Sequence, residues 1–436
     1  MPANVQDVLC TGVGIRTARG IFRFLRARTG RDDGMGNDDT RAFAVMAKAV
    51  GGLCNLQCTY CYYTEKPLLL GQDQPVMSDP VLEAYIRQNL EINGSKAVVE
   101  FAWHGGEPTL AGMEFFGKAM ELEKFYGKGR RMVNSLQTNG TLLNGEWCGF
   151  FARNGFLLGI SMDGPKELHD AFRRGPGGGS HERAMAGIRL LKSYGVSFNI
   201  LATVNAANSA HPREVYDFLR EWTDYMQFLP VVESDGTFIE VEEGQRFAVP
   251  PGIRSPFLRH SLKDFSVTAE GYGNFLCCVL DRWRELDYGR KFVQIFEATA
   301  GNVQGKPGGL CVHEALCGHA GSVETNGDVY SCDRYAFPKY RLGNILETHL
   351  GELMEKNRSF GMHKTLGLPK ECLRCPFVRL CFGGCPKDRI LISRDGQPGR
   401  NFLCDGYRRF FSYFLETMSP NFIQNPEAPG PRSPLS

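Results

Sequence analysis

Residues 51–66 read "GGLCNLQCTYCYYTEK" and place Cys54, Cys58 and Cys61 close together, spaced C-x3-C-x2-C. No fourth cysteine and no histidine stands nearby. A structural zinc site needs four ligands. A two-cluster ferredoxin run would bring a further cysteine close behind. Just ahead of the motif, "RAFAVMAKAV" (41–50) is a short apolar run ended by a glycine pair, which suits a buried strand.

Outward from this stretch, strand and helix signals alternate. A helix begins after Ser78, with an early Pro80 and with Val81, Leu82, Tyr85, Ile86 and Leu90 on one side. "KAVVEFAW" (96–103), "RMVNSLQ" (131–137), "FLLGISM" (156–162), "VSFNILATV" (196–204) and "YMQFLPV" (225–231) read as strands. Helical stretches such as "GMEFFGKAMELEKFY" (112–126) separate them. Six alternations predict an α/β fold with a parallel sheet and right-handed crossovers. Six units fall short of eight-fold closure, so a partial (β/α)6 TIM-like barrel is expected.

The three cysteines lie just past the first strand. "WHGGEPTL" (103–110) follows the second, "QTNG" (137–140) the third and "SMDGP" (161–165) the fourth. Parallel α/β folds build active sites at that edge. Three thiolates can hold three irons of a four-iron cube, which leaves one iron open to a small chelating ligand.

The last third holds eight more cysteines: Cys311, Cys317, Cys332, Cys372, Cys375, Cys381, Cys385 and Cys404. Eight thiolates suit two four-cysteine sites. Zinc ribbons are the alternative, because C-x2-C pairs are common in them. Spacing alone leaves the grouping open. Between them, "SVETNGDVYSCD" (322–333) reads as a hairpin, with Val323 and Val329 flanking an Asn326-Gly327 turn. Cys10, Cys148, Cys277 and Cys278 read as small core residues.

Composition excludes several classes. Of 436 residues, 50 are Lys or Arg and 48 Asp or Glu, so a net charge of +2 draws the chain toward neither nucleic acid nor membrane. No apolar run reaches membrane-spanning length and no stretch reads as a secretory signal. Fifteen cysteines, an odd number, then point to reduced thiolates rather than to a disulfide framework. A cytoplasmic location is expected.

The cysteine motif followed by Tyr62 resembles the radical S-adenosylmethionine (SAM) superfamily, and the cysteine-rich last third resembles its SPASM extension. From about Phe43 to Tyr413 the chain resembles anaerobic sulfatase-maturating enzymes. "CNLQCTYCYY", "HGGEPTLAG", "LQTNGTL", "SMDGPKELHD", "CDRYAFPKYRLGNI" and "CPFVRLCFGGCPKDR" carry that likeness. The resemblance implies oxidation of a Cys or Ser side chain of an unfolded sulfatase to Cα-formylglycine through a 5′-deoxyadenosyl radical. It implies SAM and three 4Fe–4S clusters as cofactors, and an external low-potential electron donor of flavodoxin or ferredoxin type.

By position, Cys54, Cys58 and Cys61 would hold the SAM cluster. Cys311, Cys317, Cys332 and Cys385 would hold an inner auxiliary cluster, and Cys372, Cys375, Cys381 and Cys404 an outer one. Gly105, Gly106 and Glu107 would meet the methionyl ammonium, the last through its carboxylate. Ser161 and Asp163 would meet the ribose, and Arg173 the SAM carboxylate. Tyr60 and Val232 are further SAM contacts, and Asp333 is the general base. On residues alone, Arg173 is equally a surface arginine and Asp333 equally a turn cap. Two rivals are kept: a radical SAM/SPASM maturase of a ribosomally made peptide, and a zinc-ribbon protein binding nucleic acid.

The expected organisation is an Arg-rich leader (1–41) dispensable for catalysis, a radical SAM partial barrel (42–235) and a connecting segment with a helix (236–300). A SPASM domain (301–415) and a flexible tail (416–436) follow.

Overall fold

The computed structural model describes residues 43–63, 66–71, 74–94, 98–233, 262–306 and 308–424. The Arg-rich leader, the polar stretch at the start of the connecting segment, and the last part of the expected tail lie outside the described residues.

Strand β1 (Ala44–Lys48) leads through the cysteine loop to helix α1 (Asp79–Ile92) and strand β2 (Val98–His104). Helix α2 (Gly112–Gly127), β3 (Arg131–Thr138), α3 (Gly145–Asn154), β4 (Leu157–Ser161), α4 (His181–Ser193), β5 (Ser197–Val204), α5 (Pro212–Arg220) and β6 (Tyr225–Pro230) continue the alternation. The six strands pair in parallel in their chain order. Sequential order is that of a barrel wall; a doubly wound sheet would reverse direction from its first strand.

The helices form as their apolar spacing requires. In α1, Val81, Leu82, Tyr85, Ile86 and Leu90 are all buried. Its Ser78 N-cap makes no side-chain hydrogen bond. Tyr85 instead ties α1 to the sheet by donating to the Val45 carbonyl at 2.8 Å.

Helix α6 (Ala269–Leu286) buries Phe275, Leu276, Val279, Leu280 and Trp283, and Cys277 with them. A short β7 (Phe292–Val293) then pairs parallel to β6, and helix α7 (Gln294–Val303) follows.

The sheet does not stop at the boundary expected between the two domains. Strand β8 (Ala320–Val323) pairs parallel to the outer edge of β1. Strands β9 (Asp328–Tyr330) and β10 (Arg341–Asn344) extend it antiparallel. The whole is one open ten-stranded sheet, β10-β9-β8-β1-β2-β3-β4-β5-β6-β7. The β8–β9 hairpin turns at Gly327, whose φ of +89° glycine adopts without a Cβ penalty. This pairing covers the β1 edge and brings residues 331–335 beside the cysteine loop.

Helix α8 (Leu350–Leu366) and helix α9 (Cys404–Gln424) complete the fold. Helix α9 runs past residue 416, where a tail was expected, and Met418 is buried. It packs on α6 with little space between backbones: a Cβ on Gly273 would lie 2.8 Å from the Gly406 Cα. Among the described residues no helix is long and apolar enough to cross a membrane.

Candidate active site

The motif loops meet at the C-terminal edge of the sheet. The "GGEP" loop after β2 lies backbone to backbone on the start of the cysteine loop. Gly106 N–H donates to the Gly51 carbonyl at 2.7 Å, and Glu107 N–H to the Leu53 carbonyl at 2.8 Å. A Cβ on Gly106 would stand 1.9 Å from the Leu53 oxygen, so only glycine fits. Gly105 has a φ of +126°.

Glu107 differs from expectation. Its carboxylate is fully buried and accepts hydrogen bonds from the Thr109 and Thr138 hydroxyls, both at 2.7 Å, and from Asn139 N–H at 2.8 Å. It staples the second loop to the third. Asn139 continues the network by donating to Asn55 Oδ1 at 2.9 Å, inside the cysteine motif.

Asp163 differs in the same way. It is fully buried; Tyr60 Oη donates to its Oδ2, Arg173 Nε donates to the same oxygen at 3.0 Å, and Thr203 N–H donates to Oδ1 at 2.8 Å. Three of its roughly four acceptor positions are thereby used within the protein. Ser161 is partly exposed and accepts from Gln137 Nε2 at 3.1 Å. Arg173 is no surface residue; it is buried against Asp163, and its guanidinium stands 5.4 Å from the Tyr60 ring centre. The backbone beside it carries the cysteine loop: Thr59 N–H donates to the Phe172 carbonyl, Gln57 N–H to that of Arg174. Burial pushes the Cys58 thiol up to about 12, with Arg173 opposing. A bound metal centre displaces such protons. Val232 is buried just past β6, and its carbonyl accepts from Lys387 Nζ at 2.7 Å.

The eight later cysteines fall into two groups. Cys311, Cys317, Cys332 and Cys385 line one cavity of about 800 Å³. Cys372, Cys375, Cys381 and Cys404 line a second, smaller one. These are the groups that the family resemblance implies. Each presents four sulfurs to a shared cavity, which fits a four-iron cluster. Among the described residues, no three His, Cys, Asp or Glu side chains converge as a single metal ion would need.

Asp333 opens a short 3-10 turn directly after Cys332. Tyr62 Oη, one residue past Cys61, donates to its Oδ2 at 2.6 Å. The Arg334 guanidinium lies 4.0 Å from the Tyr62 ring centre. Burial would raise the Asp333 carboxyl, but Lys48, Arg334 and the Tyr62 hydrogen bond hold it well below the usual carboxylate range. It is an anion. His104 is pushed down to about 3 by burial and by Lys48, whose Nζ lies 3.2 Å from its Nδ1.

Tyr62 entered the sequence reading only as part of the cysteine motif, and Lys48, His104 and Arg334 were not singled out as members of the site. The signals were present: a lone lysine closing an apolar strand, a histidine directly before "GGEP", and an arginine beside the aspartate.

A sequential parallel sheet, three thiols after its first strand and a cysteine-rich extension with two further four-cysteine groups together define a radical SAM enzyme with auxiliary clusters. Residues 49–219 match the radical SAM superfamily model, and residues 317–376 the iron–sulfur cluster-binding SPASM model. The chain is 43% identical to the serine-type anaerobic sulfatase-maturating enzyme of Bacteroides thetaiotaomicron, over 88% of this chain and 93% of that one. It is 33% identical to the cysteine-type enzyme of Clostridium perfringens, over 85% and 95%. The solved structure of native anSMEcpe with bound AdoMet and the Cp18Cys peptide superposes with a TM-score of 0.72 at 32% identity, covering 87% of this chain and 98% of that one.

The chain therefore belongs to the anaerobic sulfatase-maturating enzymes. It is a radical SAM oxidoreductase that oxidises a Cys or Ser side chain to formylglycine. Its cofactors are SAM and three 4Fe–4S clusters.

Proposed function

We propose the following roles for the residues of this site. Cys54, Cys58 and Cys61 hold the SAM-binding cluster. Cys311, Cys317, Cys332 and Cys385 hold the inner auxiliary cluster, and Cys372, Cys375, Cys381 and Cys404 the outer one. When bound, SAM and these clusters supply a radical that removes a Cβ hydrogen atom and acceptors for the electron that follows.

The backbone of Gly105 and Gly106 meets the methionyl end of SAM, Ser161 the ribose and Val232 the adenine. Glu107 fixes the loops around the first cluster. Asp163 is a positioning residue: it anchors Tyr60 and Arg173, which in turn brace the cysteine loop and face the carboxylate end of SAM.

Asp333 takes the proton from the target thiol or hydroxyl. The observation that carries this reading is the Tyr62–Asp333 hydrogen bond. It places an ionised carboxylate from the auxiliary domain beside the loop of Cys61. An anion between a hydrogen-atom acceptor and an electron acceptor is well sited for coupled proton loss. Lys48 and Arg334 keep it charged.

The substrate is an unfolded sulfatase polypeptide. The greater identity to the serine-type relative favours a serine target. The reductant is an external low-potential donor of flavodoxin or ferredoxin type, and the location is the cytoplasm. The test is an anaerobic assay with two short peptides carrying a Cys or a Ser sulfatase motif, read by mass spectrometry. A mass loss matching the aldehyde on the Ser peptide is expected. Deoxyadenosine formation with neither peptide oxidised would refute the sulfatase reading and bring back the ribosomal-peptide maturase.

A further inference from the structure

Cys381 and Cys385 belong to different four-cysteine groups, yet only three residues separate them. Those residues, Phe382, Gly383 and Gly384, all have positive φ (46°, 73° and 63°), so the loop turns sharply between the groups. Arg389 fills the inside of that turn. It is fully buried. Its Nε donates to the Gly383 carbonyl at 3.1 Å and its terminal nitrogens to Phe382 at 2.9 Å and to Lys364 at 2.6 Å. A Cβ on Gly383 would stand 2.7 Å from the guanidinium, so this glycine admits the cation.

Other cations sit on one group each, Lys364 and Arg408 among them. Lys364 is buried and donates through Nζ to the carbonyls of Cys311, at 2.5 Å, and Val312, at 3.1 Å. Arg408 donates to Cys375 Sγ at 3.4 Å. Lys364 thus holds backbone of the first group, whereas Arg389 holds Phe382 and Gly383, which lie between Cys381 of one group and Cys385 of the other.

We propose that Arg389 is a shared positive charge that raises the reduction potentials of both auxiliary centres together, while Lys364 tunes the first alone and Arg408 the second alone. A centre that takes up one electron gains one negative charge and forms no new bond. A buried cation nearby stabilises that reduced form, because net charge and hydrogen bonding set the potential of an iron–sulfur centre and charges interact strongly where water is excluded. A charge common to both shifts the two potentials in the same direction, so its loss lowers both. The proposal rests on the assignment of the two groups to two four-iron clusters.

The test is an EPR-monitored redox titration, with dithionite as reductant, on the full chain with Cys54, Cys58 and Cys61 changed to Ala. Each couple is assigned from a Cys→Ala variant of its own group. Iron content is read alongside. Lys364→Met is expected to move the first couple to more negative potential and Arg408→Met the second, each leaving the other in place. Arg389→Gln and Arg389→Met are expected to move both, and Arg389→Lys to leave both near the parent values. Unshifted couples in an Arg389 variant that keeps its iron would overturn the proposal. So would loss of iron in all three Arg389 variants, Lys included, since the side chain would then be a brace whose charge is immaterial. Loss of iron in the Gln and Met variants, with parental iron and potentials in the Lys variant, would support it. A parent without about eight irons would instead overturn the cluster assignment beneath it.

Discussion

Tyr62 Oη lies 2.6 Å from Asp333 Oδ2, across 271 residues of sequence. The contact joins the loop of the three motif cysteines to the turn after Cys332. Burial and the Asp333 charge hold the Tyr62 hydroxyl well above its usual range, so it stays a donor.

This relationship separates two roles. Asp333→Asn keeps size and shape but cannot take a proton. Reductive cleavage of SAM to deoxyadenosine is expected to continue, while peptide aldehyde formation falls about 10²–10⁴-fold, the usual worth of a positioned general base. Tyr62→Phe removes one hydrogen bond and leaves the carboxylate. Its aldehyde formation is expected to fall only about tenfold, the equivalent of one net hydrogen bond. Mass spectrometry of peptide and deoxyadenosine in one reaction reads both. Full peptide oxidation by the Asn variant would remove Asp333 from the mechanism.

The Gly106 contact makes a different prediction. Ala at this position puts its Cβ 1.9 Å from the Leu53 oxygen, a backbone atom that cannot swing aside. Gly106→Ala must therefore push the cysteine loop away from the "GGEP" loop. SAM cleavage is expected to be lost, with iron falling from about twelve to about eight per chain as only the first cluster fails to load. Unchanged SAM binding and cleavage would show that the two loops separate without harm.

How much of this was legible in the sequence depends on the range of the interactions. The six strands are short apolar runs, and their alternation with helices reads as a parallel sheet. The turn at Asn326-Gly327 is local too. The attachment of β8 to β1 is not local: Ala44 meets Ala320, and nothing in either stretch names the other. Glu107 and Asp163 show the same limit. A carboxylate in a motif loop reads as a ligand contact until its donors are known. Here those donors, Thr138 and Asn139 for one and Tyr60 and Thr203 for the other, come from separate loops. The grouping of eight cysteines was likewise open to spacing, because Cys385 sits among residues of the outer group yet lines the inner cavity.

That grouping predicts how iron is lost. Cys372→Ala with Cys404→Ala strikes two positions 32 residues apart in sequence that line one cavity. The double variant is expected to lose about four irons, no more than either single variant, since each destroys the same cluster. Cys385→Ala with Cys404→Ala is expected to lose about eight, although those two are closer in sequence. Iron and sulfide analysis after anaerobic reconstitution distinguishes the patterns. Equal losses from both double variants would mean that the groups are drawn wrongly.

The last prediction concerns a buried acid remote from this chemistry. Glu123 in α2 is 2% exposed. Asn134 Nδ2 donates to its Oε2 at 2.8 Å, while Oε1 has no partner. Asn134 Oδ1 in turn accepts from Trp103 Nε1 at 2.6 Å, inside the barrel wall. Burial pushes the Glu123 carboxyl up to about 8, against only the opposing Asn134 hydrogen bond. The folded chain therefore holds a proton here that the unfolded chain releases near pH 4.5. For a group raised on folding, the contribution to stability is full below the unfolded value and is lost as pH rises through the folded one. Between about pH 5 and 8, Glu123 thus makes the protein less stable with each step up in pH. Glu123→Gln, neutral at every pH, is expected to flatten that slope. It should raise the apparent unfolding temperature relative to the parent more at pH 8.5 than at pH 5. Parallel pH profiles for parent and variant, measured anaerobically at one scan rate, would show that Glu123 is already ionised in the folded chain.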